Sequence, residues 1–560
     1  MKKLAFILIL LNLTVESFAQ DVPVHFNQTA IYDFIDELAN DKIIEINTVV
    51  KPYSRVFILE QLLIAKNKQE ELTRRQKKEL DFYLKIYALH QNISYNPYSE
   101  SARINLFNDT SHFNTGINPF GLFYKDSLFT FSLKPVWGIR YYSNANGNMR
   151  HTWGGAEAFG TIGKGWAIYA SLRDNYQTEV FAKSSYFTQQ EGGNYKINVG
   201  GREGGDYSEM RGGITYAWRW GSIGLVKDHV QWGNNYNGAS IFSGRTPSFG
   251  MIKLHLSPAK WLDFNYYHGW LVSEVLDSSR SYFTTNGDWR GVYRDKYIAA
   301  NMYTFKPFKN FYFSIGNSII YSDVNPQIAY LIPFLFYKSV DHTINHAVDN
   351  QNSQMFGDFS FRMIKHLHLY GTIFIDEFSV TRIGVEEEHN FIGQKYGARL
   401  SNWPIKNTYL TFEYTQTKPV VYKHRVPSTT FESNKFNLGH YLRDNSVEYY
   451  ASIGVKPLRG LKIDLAYLLA KHGNEYQYTD GGDAVLYPVM ESTSWSNESY
   501  TLTMSYEFIS ESYLYFQYSF SDIQGFDLDG NTAQYYLDLY TPPLLQGKTQ
   551  TLTFGFNFGF

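Results

Sequence analysis

The stretch from Asp228 to Pro247 contains the side chains best suited to chemistry. Eight candidates lie in it: Asp228, His229, Trp232, Asn234, Asn235, Tyr236, Asn237 and Arg245. Trp and Tyr offer flat apolar faces, whereas Asn, His, Asp and Arg supply planar hydrogen-bond donors and acceptors. Such a set can stack on sugar rings and bond their hydroxyl groups. The alternative interpretation is an aromatic girdle at a membrane interface with a Gly-Asn turn.

Signatures of the common enzyme classes are absent from the sequence. There is no Gly-x-x-x-x-Gly-Lys-Ser/Thr loop, no His-Glu-x-x-His helix and no Gly-x-Ser-x-Gly elbow. His366 and His368 share one face of a predicted strand, but no third ligand follows nearby, and catalytic zinc usually needs three. We therefore expect no enzyme, no cofactor and no metal. A hydrolase site assembled from several strands stays open, because it would leave no local motif.

Composition narrows the class of protein further. The chain has 560 residues, and its 51 Lys and Arg against 53 Asp and Glu argue against a nucleic-acid partner. It contains no cysteine, which excludes disulfides and thiolate zinc sites. Aromatic residues make up 18% and charged residues 19%. That balance is unusual for a soluble assembly and natural for a barrel whose outer surface faces lipid.

Residues 1–19 match a secretory signal peptide. Lys2 and Lys3 form the basic start, Leu4–Leu13 the apolar core, and cleavage is expected after Ala19. The core is about half of the roughly 20 residues that a spanning helix needs. The later apolar run Ile328–Tyr337 is also too short to span as a helix. If the mature chain crosses a membrane, it must do so with strands.

Residues 20–100 are predicted to form a helical segment on the periplasmic side. Apolar residues recur at helical spacing in Ile31–Leu38 and again in Leu59–Leu63, behind Ser54 as an N-cap. A third helix is predicted from the capping box Thr73–Gln76. About 60 residues are near the lower limit for independent folding. We expect the segment to pack against the barrel, with residues 101–127 as a linker.

Residues 128–560 are predicted to form an all-β, transmembrane antiparallel β-barrel of about 18 strands. The apolar residues recur with period two, which indicates strands. Eight very short links alternate with long polar stretches, the layout of outer-membrane barrels with periplasmic turns and external loops. The predicted links are 162–165, 219–221, 258–261, 307–310, 364–366, 404–407, 457–460 and 509–511. An even strand number returns the C-terminus to the side of the helices.

The last strand carries a second signal. Its apolar residues occupy every second position and end with Phe556, Phe558 and Phe560. This ending resembles the C-terminal recognition signal of outer-membrane barrel proteins, which implies the barrel-assembly machinery as a partner during biogenesis. The alternative is an ordinary buried edge strand.

Three segments resemble the capsule-assembly Wzi family. Trp232–Ser243, followed by Pro247, is similar to its W-G-x-x-x-x-G-S-L-x-L-S … P segment, although Ala239 replaces the usual Ser and Asn234 a frequent Pro. Tyr32–Leu38 with the later Pro52-Tyr53-Ser54-Arg55 resembles its helical lead-in. The residues similar to its D-N-Q … D … Y … D-E region are Asp349-Asn350-Gln351, Gly357-Asp358, Leu369-Tyr370-Gly371 and Asp376-Glu377.

The resemblance implies an outer-membrane barrel of a Gram-negative cell with a lectin-like role. The eight side chains between residues 228 and 245 would then contact exported capsular or exopolysaccharide from an external loop. Two other classes stay open. One is a solute channel in which inward Glu413, Lys462 and Asp464 set the local field. The other is an accessory subunit of a larger outer-membrane complex.

Overall fold

The computed structural model describes residues 21–88, 113–117, 120–198, 201, 203–344, 350–378, 380, 390–478 and 487–559. The predicted signal peptide and Phe560 lie outside the described residues. The helices are α1 (Thr29–Asn40), α2 (Arg55–Asn67), α3 (Arg74–Tyr87), α4 (Tyr337–Ile344) and α5 (Ala533–Tyr540). Within the described part of the chain, no helix has both the length and the apolar character to span a bilayer.

Eighteen antiparallel strands close into a barrel, which confirms the predicted fold class. They are β1 (Phe129–Asn144), β2 (Gly147–Ile162), β3 (Trp166–Gln177), β4 (Gly205–Trp218), β5 (Gly221–Asp228), β6 (Phe249–Ala259), β7 (Leu262–Leu276), β8 (Tyr293–Phe308), β9 (Phe311–Ser322), β10 (Gln351–Phe361), β11 (Leu367–Glu377), β12 (Phe391–Ser401), β13 (Thr408–Thr417), β14 (Ser446–Leu458), β15 (Leu461–Gly473), β16 (Thr493–Ile509), β17 (Ser512–Gly525) and β18 (Gly547–Phe558). The barrel closes where β18 pairs with β1, from Leu552 opposite Ser143 to Phe558 opposite Trp137. A hairpin of Phe113–Ile117 and Phe120–Lys125 pairs with the other half of β1.

The strand connections are of two kinds. Eight short turns lie at one end of the barrel, each joining an even-numbered strand to the next, from β2–β3 to β16–β17. They coincide with the eight short links predicted from the sequence. Asn310 and Gly460 have positive φ angles of 61° and 76° in two of them, a conformation that Asn and Gly adopt at low cost. The long connections lie at the opposite end, together with the two-residue turn between β1 and β2.

The three N-terminal helices close the short-turn end. Their predicted caps are present: the Ser54 side chain accepts the Phe57 N–H, and Thr73 and Gln76 form the reciprocal capping box. The helices pack on one another through a shared apolar core. Their outer surface meets the barrel turns, where Nδ1 of His366 lies 2.9 Å from Oδ1 of Asp41.

The three N-terminal helices together form a plug at this end of the barrel. Arg362, directly after β10, joins the barrel wall to this helical plug. Its Nη2 pairs with Oδ1 of Asp36 at 2.7 Å, and its Nε donates to Oδ1 of Asn40 at 2.8 Å. Its Nη1 donates to the Thr48 hydroxyl at 3.2 Å. The side chain is buried. A buried guanidinium is tolerated because its charge and its donors are satisfied in this way.

Chain segments from both ends of the barrel lie in the lumen. Val50–Lys51 of the N-terminal segment pairs with Gln231–Trp232, which in turn pairs with Phe242–Ser243. The last two belong to the connection between β5 and β6, so that connection folds into the barrel. The Trp232 ring lies 5.3 Å from the ring of Tyr267, a lumen-facing residue of β7.

Side chains alternate between the lumen and the outer surface, as predicted. On β18, Leu552 and Phe554 are exposed on the outside, whereas Thr551 and Thr553 are buried on the lumen side. Phe556 and Phe558 continue the outward series of this strand. Their role as a membrane-insertion signal stays a prediction.

Residues 323–344, here named the outer flap, lie against the outside of the barrel. Nδ2 of Asn301 donates to the Pro333 carbonyl at 2.8 Å, and the Tyr266 hydroxyl donates to the Tyr330 carbonyl at 2.9 Å. Both donors face outward, because their sequence neighbours belong to the lumen core. The flap therefore covers polar groups that the strands would otherwise present to lipid.

Replacing Arg362 with alanine should loosen the helical plug. The change leaves the half-buried Asp36 carboxylate without its ion-pair partner, a loss that costs about 3–5 kcal/mol for a buried pair. Hydrogen exchange of the α1 amides, read by mass spectrometry, should show an opening free energy lowered by up to that amount. Arg280→Ala, which removes an exposed ion pair with Asp277, should leave α1 unchanged. Equal exchange in both variants would contradict this account.

The outer flap should lie in the lipid. Because the chain has no cysteine, single cysteine variants can each carry one nitroxide label. A label at Phe334→Cys, an exposed flap position, should be relaxed more by oxygen than by a water-soluble nickel chelate. Phe313→Cys on the outer face of β9 should behave alike, and Gln189→Cys, an exposed position between β3 and β4, should show the reverse. Preferential relaxation of the flap label by nickel would place the flap in water.

Candidate functional site

The connection between β5 and β6 holds the predicted site residues inside the barrel. Asp228, at the end of β5, is buried, as are His229, Trp232, Asn234 and Arg245, none more than 4% exposed. The remaining three, Asn235, Tyr236 and Asn237, are half-buried. The structure thus brings all eight into the lumen. Their contact with a glycan stays a prediction, and burial makes Asp228, His229 and Trp232 better suited to support a site than to form its surface.

Two consecutive contacts fix the start of this connection. The N–H of Gly233 donates to the Val49 carbonyl at 2.8 Å, with Gly233 at φ 104°, where a side chain would be strained. The N–H of Asn234 donates to Oδ2 of Asp358 at 3.0 Å, and the Asn234 side chain also bonds the Thr48 hydroxyl. Asn234 therefore links the N-terminal segment to β10.

Glu413 of β13 binds the backbone of Tyr236 and Asn237. Its carboxylate accepts the N–H of Tyr236 at 2.6 Å and the N–H of Asn237 at 3.0 Å. Lys395 of β12 pairs with the same carboxylate at 2.9 Å, and the Tyr370 hydroxyl donates to it as well. This buried carboxylate satisfies backbone donors that have no partner in a regular strand or helix.

The Tyr236 side chain is fixed from two sides. Its hydroxyl donates to Oδ2 of Asp36 at 2.7 Å and lies 2.9 Å from Nδ1 of His368. Its ring faces the Arg399 guanidinium, with 4.3 Å between the guanidinium carbon and the ring centroid. The ring is therefore held in one orientation before any ligand arrives.

Between the N-terminal segment and the inward-folded connection lies a cavity of about 290 Å³. Its lining combines aromatic rings, charged groups of both signs and side-chain amides: Phe26, Tyr32, Tyr53, Tyr236, Tyr441, Asp33, Asp36, Glu191, Lys51, Arg245, Arg362, Asn27, Gln189, Gln231, Asn234 and Asn235. Gln189, from the connection between β3 and β4, is exposed. Since the long connections lie at this end, Gln189 marks the external side of the cavity.

Burial and neighbouring charges set the ionisation of the lining groups. Burial lowers the pKa of Arg245 to about 9. Burial would raise the pKa of Glu191, but Arg173 and other nearby positive charges outweigh it and lower that pKa to about 2. Burial and the Asp36 carboxylate raise the pKa of Tyr236 well above its ordinary value. At neutral pH the cavity therefore presents charged groups of both signs beside a protonated tyrosine hydroxyl.

One cluster beside the cavity could hold a metal ion. His25, Glu191 and His229 each bring a coordinating atom within 4.8 Å of the other two. The three residues lie far apart in the chain, so no local motif marks the cluster. His366 and His368, the pair visible in the sequence, lie at different places: His366 contacts Asp41 of the plug, whereas His368 points into the lumen toward Tyr236.

The sequence also did not indicate the lining residues of the N-terminal segment. Asp33 and Asp36 lie on the polar side of α1, opposite Phe34 and Ile35 in the helical core. Their place on an amphipathic helix was the available signal. Lys51 follows α1 in an extended stretch that carries no motif.

No protein-family model and no curated protein matches the sequence. Among solved structures, the chain is similar to Wzi of Escherichia coli, an outer membrane protein involved in group 1 capsule assembly and a carbohydrate-binding β-barrel. The TM-score is 0.55 at 11% identity, covering 97% of this chain and 100% of that chain. OprD of Pseudomonas aeruginosa and OccAB2 of Acinetobacter baumannii give TM-scores of 0.40 and 0.42, at 8% and 10% identity. They cover 76% of this chain and 94% and 98% of theirs.

The similarity to Wzi shows that the chain has the fold of an outer-membrane β-barrel, and the resemblance to Wzi is confirmed at the level of the fold.

Proposed function

We propose that the protein binds exported polysaccharide at the surface of a Gram-negative cell and retains it at the outer membrane. The observation that carries the proposal is the aromatic and amide-lined cavity on the external side of a barrel whose lumen holds the N-terminal segment and the β5–β6 connection. The shared fold with Wzi, a carbohydrate-binding barrel involved in capsule assembly, supports the same assignment.

The cavity chemistry suits a carbohydrate. Aromatic rings such as Tyr236 and Tyr441 can stack on the apolar face of a sugar, and the amides of Asn235 and Gln189 can bond its hydroxyl groups. Arg245 adds a positive charge suited to an acidic sugar. With about 290 Å³, the cavity lies at the lower end of the range of about 300–1,000 Å³ for ligand pockets. It would therefore take a chain end or a short branch, not a long stretch of polymer.

The inward charges that would set the field of a channel are instead paired. Lys462 bonds Asp33 of the plug at 2.6 Å, and Glu413 bonds Lys395 and the inward-folded connection. Asp464 accepts the Tyr409 hydroxyl. These charges serve to pack the lumen, which favours glycan binding over solute conduction.

Loss of cavity amides should release polysaccharide from the cell. In cells that lack the protein, complementation with Gln189→Ala/Asn235→Ala should leave more polysaccharide in the medium and less on the surface than the unchanged protein does. Two lost hydrogen bonds of about 0.5–1.5 kcal/mol each should weaken binding of a purified polysaccharide fragment roughly tenfold.

The matched control is Asn286→Ala/Gln524→Ala, which removes exposed amides outside the cavity. Heat-modifiable gel mobility would verify insertion of each barrel. Full surface retention in cells without the protein would refute the proposal.

The segments that occupy the lumen also predict electrical silence. Purified protein in planar lipid bilayers should show no steady single-channel conductance, because the segments around Val50 and Trp232 occupy the lumen. A known open porin prepared in the same detergent would serve as the positive control. Stable conductance steps from the unchanged protein would instead favour a solute channel.

A further inference from the structure

Three distant segments meet beside the cavity. They are the N-terminal segment at His25, the connection between β3 and β4 at Glu191, and the start of the connection between β5 and β6 at His229. Nε2 of His25 lies 3.1 Å from Nδ1 of His229, whose Nε2 lies 3.2 Å from Oε1 of Glu191. Oε1 of Glu209, on β4, lies 3.9 Å from the same Nε2.

The cluster is buried and incompletely hydrogen-bonded. His25 and His229 are each 2% exposed. Nε2 of His229 and Oε1 of Glu209 have no hydrogen-bond partner among the described residues. Buried polar atoms almost always have a partner, so such atoms facing one another indicate a group that would join them. A bound cation would satisfy the imidazole nitrogen and the carboxylate oxygens together.

We propose that His25, Glu191 and His229 bind a divalent transition metal ion of the Zn²⁺ type, with Glu209 near enough to serve as a fourth ligand. Imidazole nitrogens with a carboxylate are a ligand set that suits Zn²⁺, whereas Ca²⁺ and Mg²⁺ prefer oxygen alone. Tetrahedral ligands at about 2.0–2.1 Å from zinc lie about 3.3 Å apart. The 3.2 Å between Nε2 of His229 and Oε1 of Glu191 is close to that separation. An imidazole gives one metal ion only one of its nitrogens, and one such atom from each of the three residues lies within 4.8 Å of the other two.

Neighbouring charged groups position the carboxylate. Nη2 of Arg173 bonds Oε2 of Glu191 at 2.8 Å, which directs the other oxygen toward His229. Arg211 is engaged by Asp228 at 3.4 Å, so its charge is partly balanced. Lys227 lies 3.8 Å from Oε1 of Glu209 and would have to release it if Glu209 coordinates. Ligands held by such surrounding contacts are typical of metal sites in proteins.

The metal would fasten the N-terminal segment to two external connections. Residues 25 and 229 are separated by 204 positions in the chain, and Glu191 also lines the cavity. A bound ion would therefore tie the start of the plug to the external wall of the cavity. This site is independent of what the cavity binds, and its test needs no glycan.

The test uses the full-length purified barrel, treated with a chelator and then titrated with Zn²⁺. Elemental analysis after dialysis should give about one zinc per chain, and zinc should raise the unfolding temperature. His25→Ala and His229→Ala should each lose the zinc and the shift, whereas His342→Ala, an exposed residue of α4, should keep both.

Glu191→Gln guards against variants that misfold, because it keeps the size of the side chain while weakening coordination. It should run as a folded barrel on heat-modifiable gels and bind Zn²⁺ at least about tenfold more weakly. Absence of zinc from the unchanged protein would overturn the proposal. Zinc binding that survives both histidine substitutions would overturn it as well, because the ion would then lie elsewhere.

Discussion

An 18-strand barrel encloses more space than its own inward side chains can fill, and the rest of this structure depends on how that space is occupied. Arg362 links the wall to the plug through Asp36, Asn40 and Thr48, and Thr48 in turn contacts Asn234 of the inward-folded connection. The chain of contacts therefore runs from wall to plug to loop. Buried charges are costly unless they are fully paired, so removing one part would leave polar groups of its neighbours without their partners.

The candidate site is the space that these three parts leave between them. No one element forms it: α1 contributes Asp36, the β3–β4 connection Gln189, and the β5–β6 connection Tyr236. Because hydrogen bonds and ion pairs hold Tyr236 and Arg362 in place without a ligand, little conformational freedom is left to lose on binding. Binding energy can then go into contacts with the ligand, which suits the proposed capture of a flexible polymer by a small part of its length.

Sequence patterns predicted the barrel but did not indicate which segments line the cavity, for one physical reason. The alternation of Leu552 and Phe554 with Thr551 and Thr553 reports which residues share a face of a strand, and short turns such as that at Gly460 report where strands reverse. Neither pattern reports what covers a face. The Trp232 connection is polar enough for an external loop, yet its aromatic rings pack within the lumen. The placement of Asp33 and Asp36 at the cavity depends on docking between segments hundreds of residues apart, which leaves no local trace.

The outer flap shows how the two surfaces of the wall are connected. Tyr266 and Tyr267 are consecutive on β7, so they point to opposite sides of the sheet. Tyr266 bonds the flap on the outside, and Tyr267 contacts the Trp232 ring on the inside. This part of the wall is thus packed on both faces, unlike strands that face lipid directly. Since the Trp232 connection also forms part of the cavity wall, β7 is the element that joins the flap on the outside to the cavity on the inside.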